Sequence, residues 1–235
     1  MRHELKYICS ERQLQILESR LATMMQKDLN QSGSDYRIRS LYFDTIDDRF
    51  YHECLSGVDK RRKYRIRFYN MNDSFFRLER KDTEGGLKQK YSAQIPMEYV
   101  TGVLKDGKFN EWENDNTALF DEMYAMQQTE GLHPVVVIDY RRTAFTYPAG
   151  NVRITIDRDI SFTSRTDELL DKHALLFPVM PQKKHVLEVK YDRILPGFIG
   201  SIIDTGSLER ISFSKYAYAR SMMEGNGRKE DGYEL

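Results

Sequence analysis

The sequence predicts an α+β fold in which antiparallel strands close into a barrel and helices pack outside it. Three observations lead there. At least five short runs place Arg, Lys or Glu at alternate positions opposite apolar residues, the period of a strand with two chemically different faces. Turns rich in Gly, Asn, Asp and Ser join several of these runs, as antiparallel neighbours require. Elsewhere apolar residues recur at helical spacing. In an open sheet the charged faces would merely be wet. In a closed barrel whose apolar face is turned out towards the helices, they would line a lumen.

The elements follow in order. Residues 1–8 alternate, with Arg2, Glu4 and Lys6 on one face and Leu5 and Tyr7 on the other. Ser10 and Gln13 stand at capping-box positions, and Leu14, Leu17 and Leu21 give the helix that follows an apolar stripe. Residues 31–34 (QSGS) break it, and Tyr36 to Phe43 reads as the next strand. A short helix is expected from Asp47 to Leu55. The runs Tyr64–Tyr69 and Phe75–Lys81 flank a turn at residues 70–74 and predict a hairpin. Arg65 and Arg67 share one of its faces, and Arg77, Glu79 and Lys81 share a face of the return strand. After the turn at Gly85-Gly86, a third strand runs from Leu87 to Ile95.

From Pro96 to Gln128 the period becomes helical, and the Met and aromatic residues there read as core. Strand character resumes at Pro134 and carries Arg142. Gly150 turns the chain into Val152–Asp157, where Arg153, Thr155 and Asp157 lie together. His185–Tyr191 sets Glu188 and Lys190 opposite Leu187 and Val189. A helix is expected from Lys215-Tyr216.

Composition excludes several classes. Lys+Arg and Asp+Glu are both 36 among 235 residues, so a globally basic nucleic-acid binder is not indicated. Two cysteines make neither a disulfide framework nor a zinc site, and the five histidines lack metal-ligand spacing. No apolar run approaches spanning length, and residues 1–10 lack a signal peptide's apolar segment. A cytoplasmic protein with no transmembrane segment is expected. Without a repeat or linker, the expectation is one domain over residues 1–235, with a flexible tail over about residues 225–235.

Guanidinium and ammonium groups confined in a lumen repel one another unless an anion compensates them. The natural guest is a phosphate-rich polyanion, which Arg grips bidentately and Lys meets as a point charge. Carboxylates among them would hold a divalent metal on the phosphate oxygens. Gly85-Gly86 lacks the Lys-Ser/Thr of a P-loop and is a turn.

Eight stretches carry a resemblance over nearly the whole length: Glu4–Tyr7, Ser40–Asp44, Tyr64–Tyr69, Leu78–Lys81, Arg142–Phe145, Val152–Asp157, Leu187–Lys190 and Phe213–Tyr216. In order and spacing they resemble the VTC domain, the polyphosphate-polymerase branch of the triphosphate tunnel metalloenzyme superfamily. The resemblance implies a tunnel of about eight antiparallel strands. It also implies transfer of the ATP γ-phosphoryl group to inorganic polyphosphate, with Mn²⁺ or Mg²⁺. By the same likeness Arg65, Arg67, Lys81, Arg142, Arg153 and Lys215 match phosphate-binding positions, Lys6 a basic tunnel position, and Glu188 the metal carboxylate. Arg65, Arg67, Lys81 and Glu188 are the expected catalytic residues. Glu4 and Glu79 are further metal candidates, although Glu79 reads equally as an arginine's salt-bridge partner, and Asp157 as a partner of Arg153.

The superfamily typically begins Glu-x-Glu-x-Lys, and here Arg2 replaces the first carboxylate. That favours the polymerase branch over the hydrolases, of which a tunnel triphosphatase is the alternative here; a non-catalytic polyphosphate-binding module is a further alternative. ATP and polyphosphate are the expected partners. No nucleic acid is expected, and nothing in the sequence identifies a membrane-protein partner.

Overall fold

A computed structural model describes residues 2–225 except 29, 30, 32, 108, 110–116 and 207. The expected tail therefore lies outside the described residues, apart from Gly225. In chain order the elements begin with β1 (Arg2–Ser10), α1 (Glu11–Met24), β2 (Gln26–Lys27), β3 (Tyr36–Asp44) and α2 (Arg49–Leu55). The meander β4 (Arg61–Tyr69), β5 (Asn72–Glu84) and β6 (Leu87–Ile95) follows, then α3 (Met97–Asp106) and α4 (Thr117–Glu130). The remainder is β7 (His133–Tyr147), β8 (Val152–Thr163), β9 (Phe177–Pro178), β10 (Lys184–Asp192), α5 (Gly197–Ile203), β11 (Glu209–Arg210) and α6 (Lys215–Met223). Every predicted strand and helix has its counterpart; β2, β9, β11 and α5 were not foreseen.

The strands form one 11-stranded sheet, in the order β11-β1-β10-β8-β7-β3-β4-β5-β6, with β2 on β7 and β9 on β8. The expected barrel is not formed. The ladder has two ends, β11 and β6, and does not close. Closure needs end strands that pair along their length with a consistent stagger. One end here, β11, is two residues long. At the other, β6 carries Lys88 and Lys90, charged side chains of the kind that protect an edge. Alternation specifies which face of a strand is polar, and it is identical in an open sheet and a closed one. The charged face therefore does not line a closed lumen.

The chain forms two compact units, neither continuous in sequence. Unit 1 comprises the chain up to Arg37, Tyr140–Ile160 and Met180–Phe213. In it β1 pairs along its length with β10, and β10 with β8. Their apolar positions, Cys9, Ile154, Ile156, Leu187 and Val189, pack against Leu14, Leu17 and Leu21 of α1 and Ile199 and Ile203 of α5. The start of α1 is held as expected: Ser10 N donates to Gln13 Oε1 at 2.8 Å and Gln13 N to Ser10 Oγ at 3.4 Å. Such a cap is worth about 1 kcal/mol. Gly150, at φ 75°, passes so close to the Ile194 carbonyl that a Cβ would sit 2.9 Å from its oxygen, so this turn admits no side chain.

Unit 2 comprises Ile38–Asp139, Ser161–Val179 and the chain from Ser214. Its meander turns at Asn70-Met71, both near φ 53°, and at Gly85-Gly86, left-handed pairs that match the twist of a hairpin. Leu41, Phe43, Tyr64, Ile66, Phe68, Phe76 and Leu78 are buried, as are Tyr99 and Val103 of α3 and Phe120 and Met123 of α4. Arg39, 1 % exposed, stands among the buried residues of β3. Its Nε donates to Asp139 Oδ2 at 2.7 Å, and its Nη1 donates to the carbonyls of Leu169 at 3.2 Å and Asp171 at 2.5 Å. One guanidinium thus ties β3 to β7 and to the 3-10 turn Thr166–Leu170. Among the described residues, no helix is long and apolar enough to cross a membrane.

Candidate functional site

In unit 2 the register gathers the expected residues. Tyr42 lies opposite Arg65 and Arg65 opposite Glu79; Ser40 lies opposite Arg67; Lys63, Lys81 and Lys90 form a row across β4, β5 and β6. Arg65 Nε donates to Glu79 Oε2 at 2.7 Å and its Nη1 to Tyr42 Oη at 3.0 Å. Arg67 Nη1 is 3.8 Å from the same carboxylate, its Nε donates to Ser40 Oγ at 3.2 Å, and Lys90 also pairs with Glu79.

Glu79 is 1 % exposed. Burial alone would raise its pKa, but Arg65, Arg67 and Lys90 outweigh burial and hold the carboxyl well below its ordinary value. Burial likewise pushes the Tyr42 phenol up, and Arg65, Arg67 and Lys215 pull it below its ordinary value instead. At this phenol the nearby cations thus outweigh burial.

Lys215 opens α6, whose N-cap Ser214 accepts from Lys63 Nζ at 2.9 Å. The helix is fixed by Tyr216, which stacks on Tyr42 at 5.3 Å and donates to the buried Asp44. Asp44 also accepts from the backbone N–H groups of Phe50 and Tyr51 at the start of α2, at 2.9 and 3.0 Å.

Unit 1 holds the second group. Lys6 lies opposite Glu188 and Glu188 opposite Thr155; Glu4 lies opposite Lys190 and Lys190 opposite Arg153. Lys190 Nζ is 2.8 Å from Glu188 Oε2 and 3.9 Å from Glu4 Oε2. Lys6 Nζ is 3.3 Å from Glu4 Oε1, 4.0 Å from Glu188 Oε1, and donates to the Phe213 carbonyl at 2.6 Å. Arg142 grips Asp157 bidentately at 2.6 and 2.7 Å. Burial acts to lower the Arg142 pKa, yet Asp157 outweighs it and holds the guanidinium well above its ordinary value.

Arg153 differs from expectation. Its partner is Asp28, at 2.8–3.0 Å, with Tyr36 Oη beside it, while Asp157 serves Arg142. Asp28 sits in the irregular stretch beyond β2, where no periodicity marks it. Tyr42 and Ser40, by contrast, could have been found by carrying the two-residue period through β3, and Lys190 by its place two residues after Glu188.

In unit 1, Glu4 and Glu188 are the carboxylates that could be offered to a hard divalent cation. Glu4 and Glu188 already share two ammonium groups, so cationic charge sits against both carboxylates. Mg²⁺ commonly takes one or two carboxylates and completes its shell with phosphate oxygens and water. Among the described residues, no group of three or more His, Cys, Asp or Glu is arranged to hold a metal by itself. Glu79 belongs to the other group, already paired with three cations.

Residues 1–224 match the family model of the VTC domain. The chain is a VTC-domain protein. No curated protein matches it in sequence. Among solved structures, a Pyrococcus horikoshii OT3 protein is 13 % identical, covering 96 % of this chain and 99 % of its own, with a TM-score of 0.44. An adenylate cyclase candidate of Bacillus halodurans is 12 % identical, covering 99 % of this chain and 92 % of its own, with a TM-score of 0.49.

Proposed function

We propose that this VTC domain is a cytoplasmic polyphosphate polymerase that transfers the γ-phosphoryl group of ATP to the end of an inorganic polyphosphate chain. The observation carrying this reading is the pair Arg65 and Arg67, oriented side by side by Glu79, Tyr42 and Ser40 among Lys63, Lys81 and Lys90. Such preset guanidinium groups suit phosphate oxygens, and Lys215 adds a further cation. In unit 1, Arg142 and Arg153, each fixed by its own carboxylate, and Lys6 are the cations suited to phosphate.

The attacking oxygen of a polyphosphate end is already anionic, so no general base is needed. Orientation and charge neutralisation by Arg65, Arg67 and Lys81 do the catalytic work. Glu188, with Glu4, would hold Mn²⁺ or Mg²⁺, which supplies charge neutralisation on the phosphate oxygens. Glu79 serves as the charge partner that spaces the two arginines.

Incubation with ATP and Mn²⁺ or Mg²⁺ should yield ADP and a product that exopolyphosphatase degrades. Free phosphate alone would make the domain a triphosphatase. Tight polyphosphate binding with no ADP at any metal concentration would make it a binding module. Arg65→Ala and Arg67→Ala should each slow synthesis by about ten- to a hundredfold. That is the loss of one charged hydrogen bond to phosphate, about 1.5–3 kcal/mol. Lys60→Ala, whose side chain is 66 % exposed, should stay near wild type. Equal damage at Lys60 would reject the assignment of the hairpin face.

A further inference from the structure

Lys190 has no part in the phosphate contacts proposed above, yet it sits inside the carboxylate pair. Each of its neighbours is shared: Lys190 reaches both Glu188 and Glu4, and Lys6 reaches both from the other oxygens, at 2.8–4.0 Å. The four side chains form a closed ring of alternating charge whose formal sum is zero. The carboxylates are nearly buried, with side-chain exposures of 8 % for Glu4 and 10 % for Glu188, so water screens the ring poorly. A divalent cation brought against both carboxylates would meet two ammonium groups at contact range. Without an anion to draw those groups off, repulsion opposes its binding.

A phosphate chain changes the balance. Its oxygens offer the lysines charge-assisted partners, release the carboxylates, and supply the remaining ligands a hard cation requires. We propose that Lys190, together with Lys6, is a resident counter-cation that holds the Glu4–Glu188 pair closed to divalent metal until a phosphate chain draws the ammonium groups away. Metal therefore enters with the polyanion or after it. By linkage the two bind with positive coupling, each tightening the other equally. This inference rests on the assignment of Glu188 and Glu4 as the metal carboxylates.

The test uses Mn²⁺ alone, titrated into the full chain without nucleotide or phosphate and followed by the electron paramagnetic resonance of free Mn²⁺. Wild type should bind weakly. Lys190→Met should bind at least about tenfold more tightly, because one like charge is gone. Its melting temperature should rise with Mn²⁺ while that of wild type stays flat. Lys190→Arg should keep the weak binding, and adding Glu188→Gln to Lys190→Met should abolish the gain. If Lys190→Met does not fold, Lys190→Gln carries the same measurement. Equal Mn²⁺ affinity in wild type and variant, with Glu188→Gln still abolishing metal-dependent synthesis, overturns the inference and leaves the metal assignment standing. Near wild-type synthesis by Glu188→Gln overturns both.

Discussion

Glu188→Gln is expected to lose metal-dependent ADP formation by roughly a hundredfold or more while keeping its melting temperature. A metal on transferring phosphate supplies several kcal/mol of charge stabilisation, and a neutral amide is a far poorer ligand for a hard cation than a carboxylate. The fold should tolerate the change. The amide keeps the side chain's shape, its oxygen can still accept from Lys190, and Glu4 remains within reach of both lysines. Metal-free polyphosphate affinity, measured in EDTA, should be unchanged or tighter, since one negative charge is removed from a group whose charges otherwise balance. An Mn²⁺ titration of ADP formation beside that measurement decides the matter. Ordinary synthesis at ordinary metal levels would make Glu188 a charge partner only.

Arg39→Ala should cost about 3–5 kcal/mol of unfolding free energy, the range for removing one partner of a buried ion pair. The guanidinium is 1 % exposed and Asp139 5 % exposed, so water does not readily replace what is lost. Carbonyls of the Thr166–Leu170 turn and of Asp171 lose their donor as well. Urea unfolding measures the cost. Arg39→Met combined with Asp139→Leu should recover much of it, because an apolar pair leaves no charge stranded. A midpoint for Arg39→Ala within the error of wild type would show that the pair contributes nothing.

Much of this was legible from a two-residue period and from caps. Arg65, Arg67, Glu79 and Lys81 fall on one face because parity alone decides it, and the Ser10–Gln13 cap follows from two residue types at the right spacing. Closure was not legible. Charged residues alternate with apolar ones whether or not a sheet's ends meet, and what ends this ladder is a two-residue strand with no signature. Burial of the charged face does not require closure either. Glu79, Asp157 and Glu188 are buried in an open sheet, where alternation by itself predicts a wet face. Partner choice was only half legible: Asp157 was seen on the face of Arg153, but reach across the sheet gives it to Arg142. The Asp28 that serves Arg153 sits where the chain has no period to read.

The pairing of β1 with β10 sets an order in time. The β4–β5–β6 meander closes through two-residue turns, at small cost in loop entropy, and can form as soon as its own residues have been synthesised. β1 has no such local partner: along its length it meets β10, and at Tyr7 and Ile8 it meets β11. Its apolar side chains can meet α1 early, but its hydrogen-bonded ladder must wait while the whole of the meander is made. Pulse-labelled hydrogen exchange should accordingly protect β4–β6 amides before those of β1, and simultaneous protection would refute this order. Glu4 rides on the strand that waits and Glu188 on the strand it waits for. On this order the carboxylate pair is assembled late in folding, so a half-made chain already carries its arginine hairpin but not the two carboxylates proposed to hold a metal.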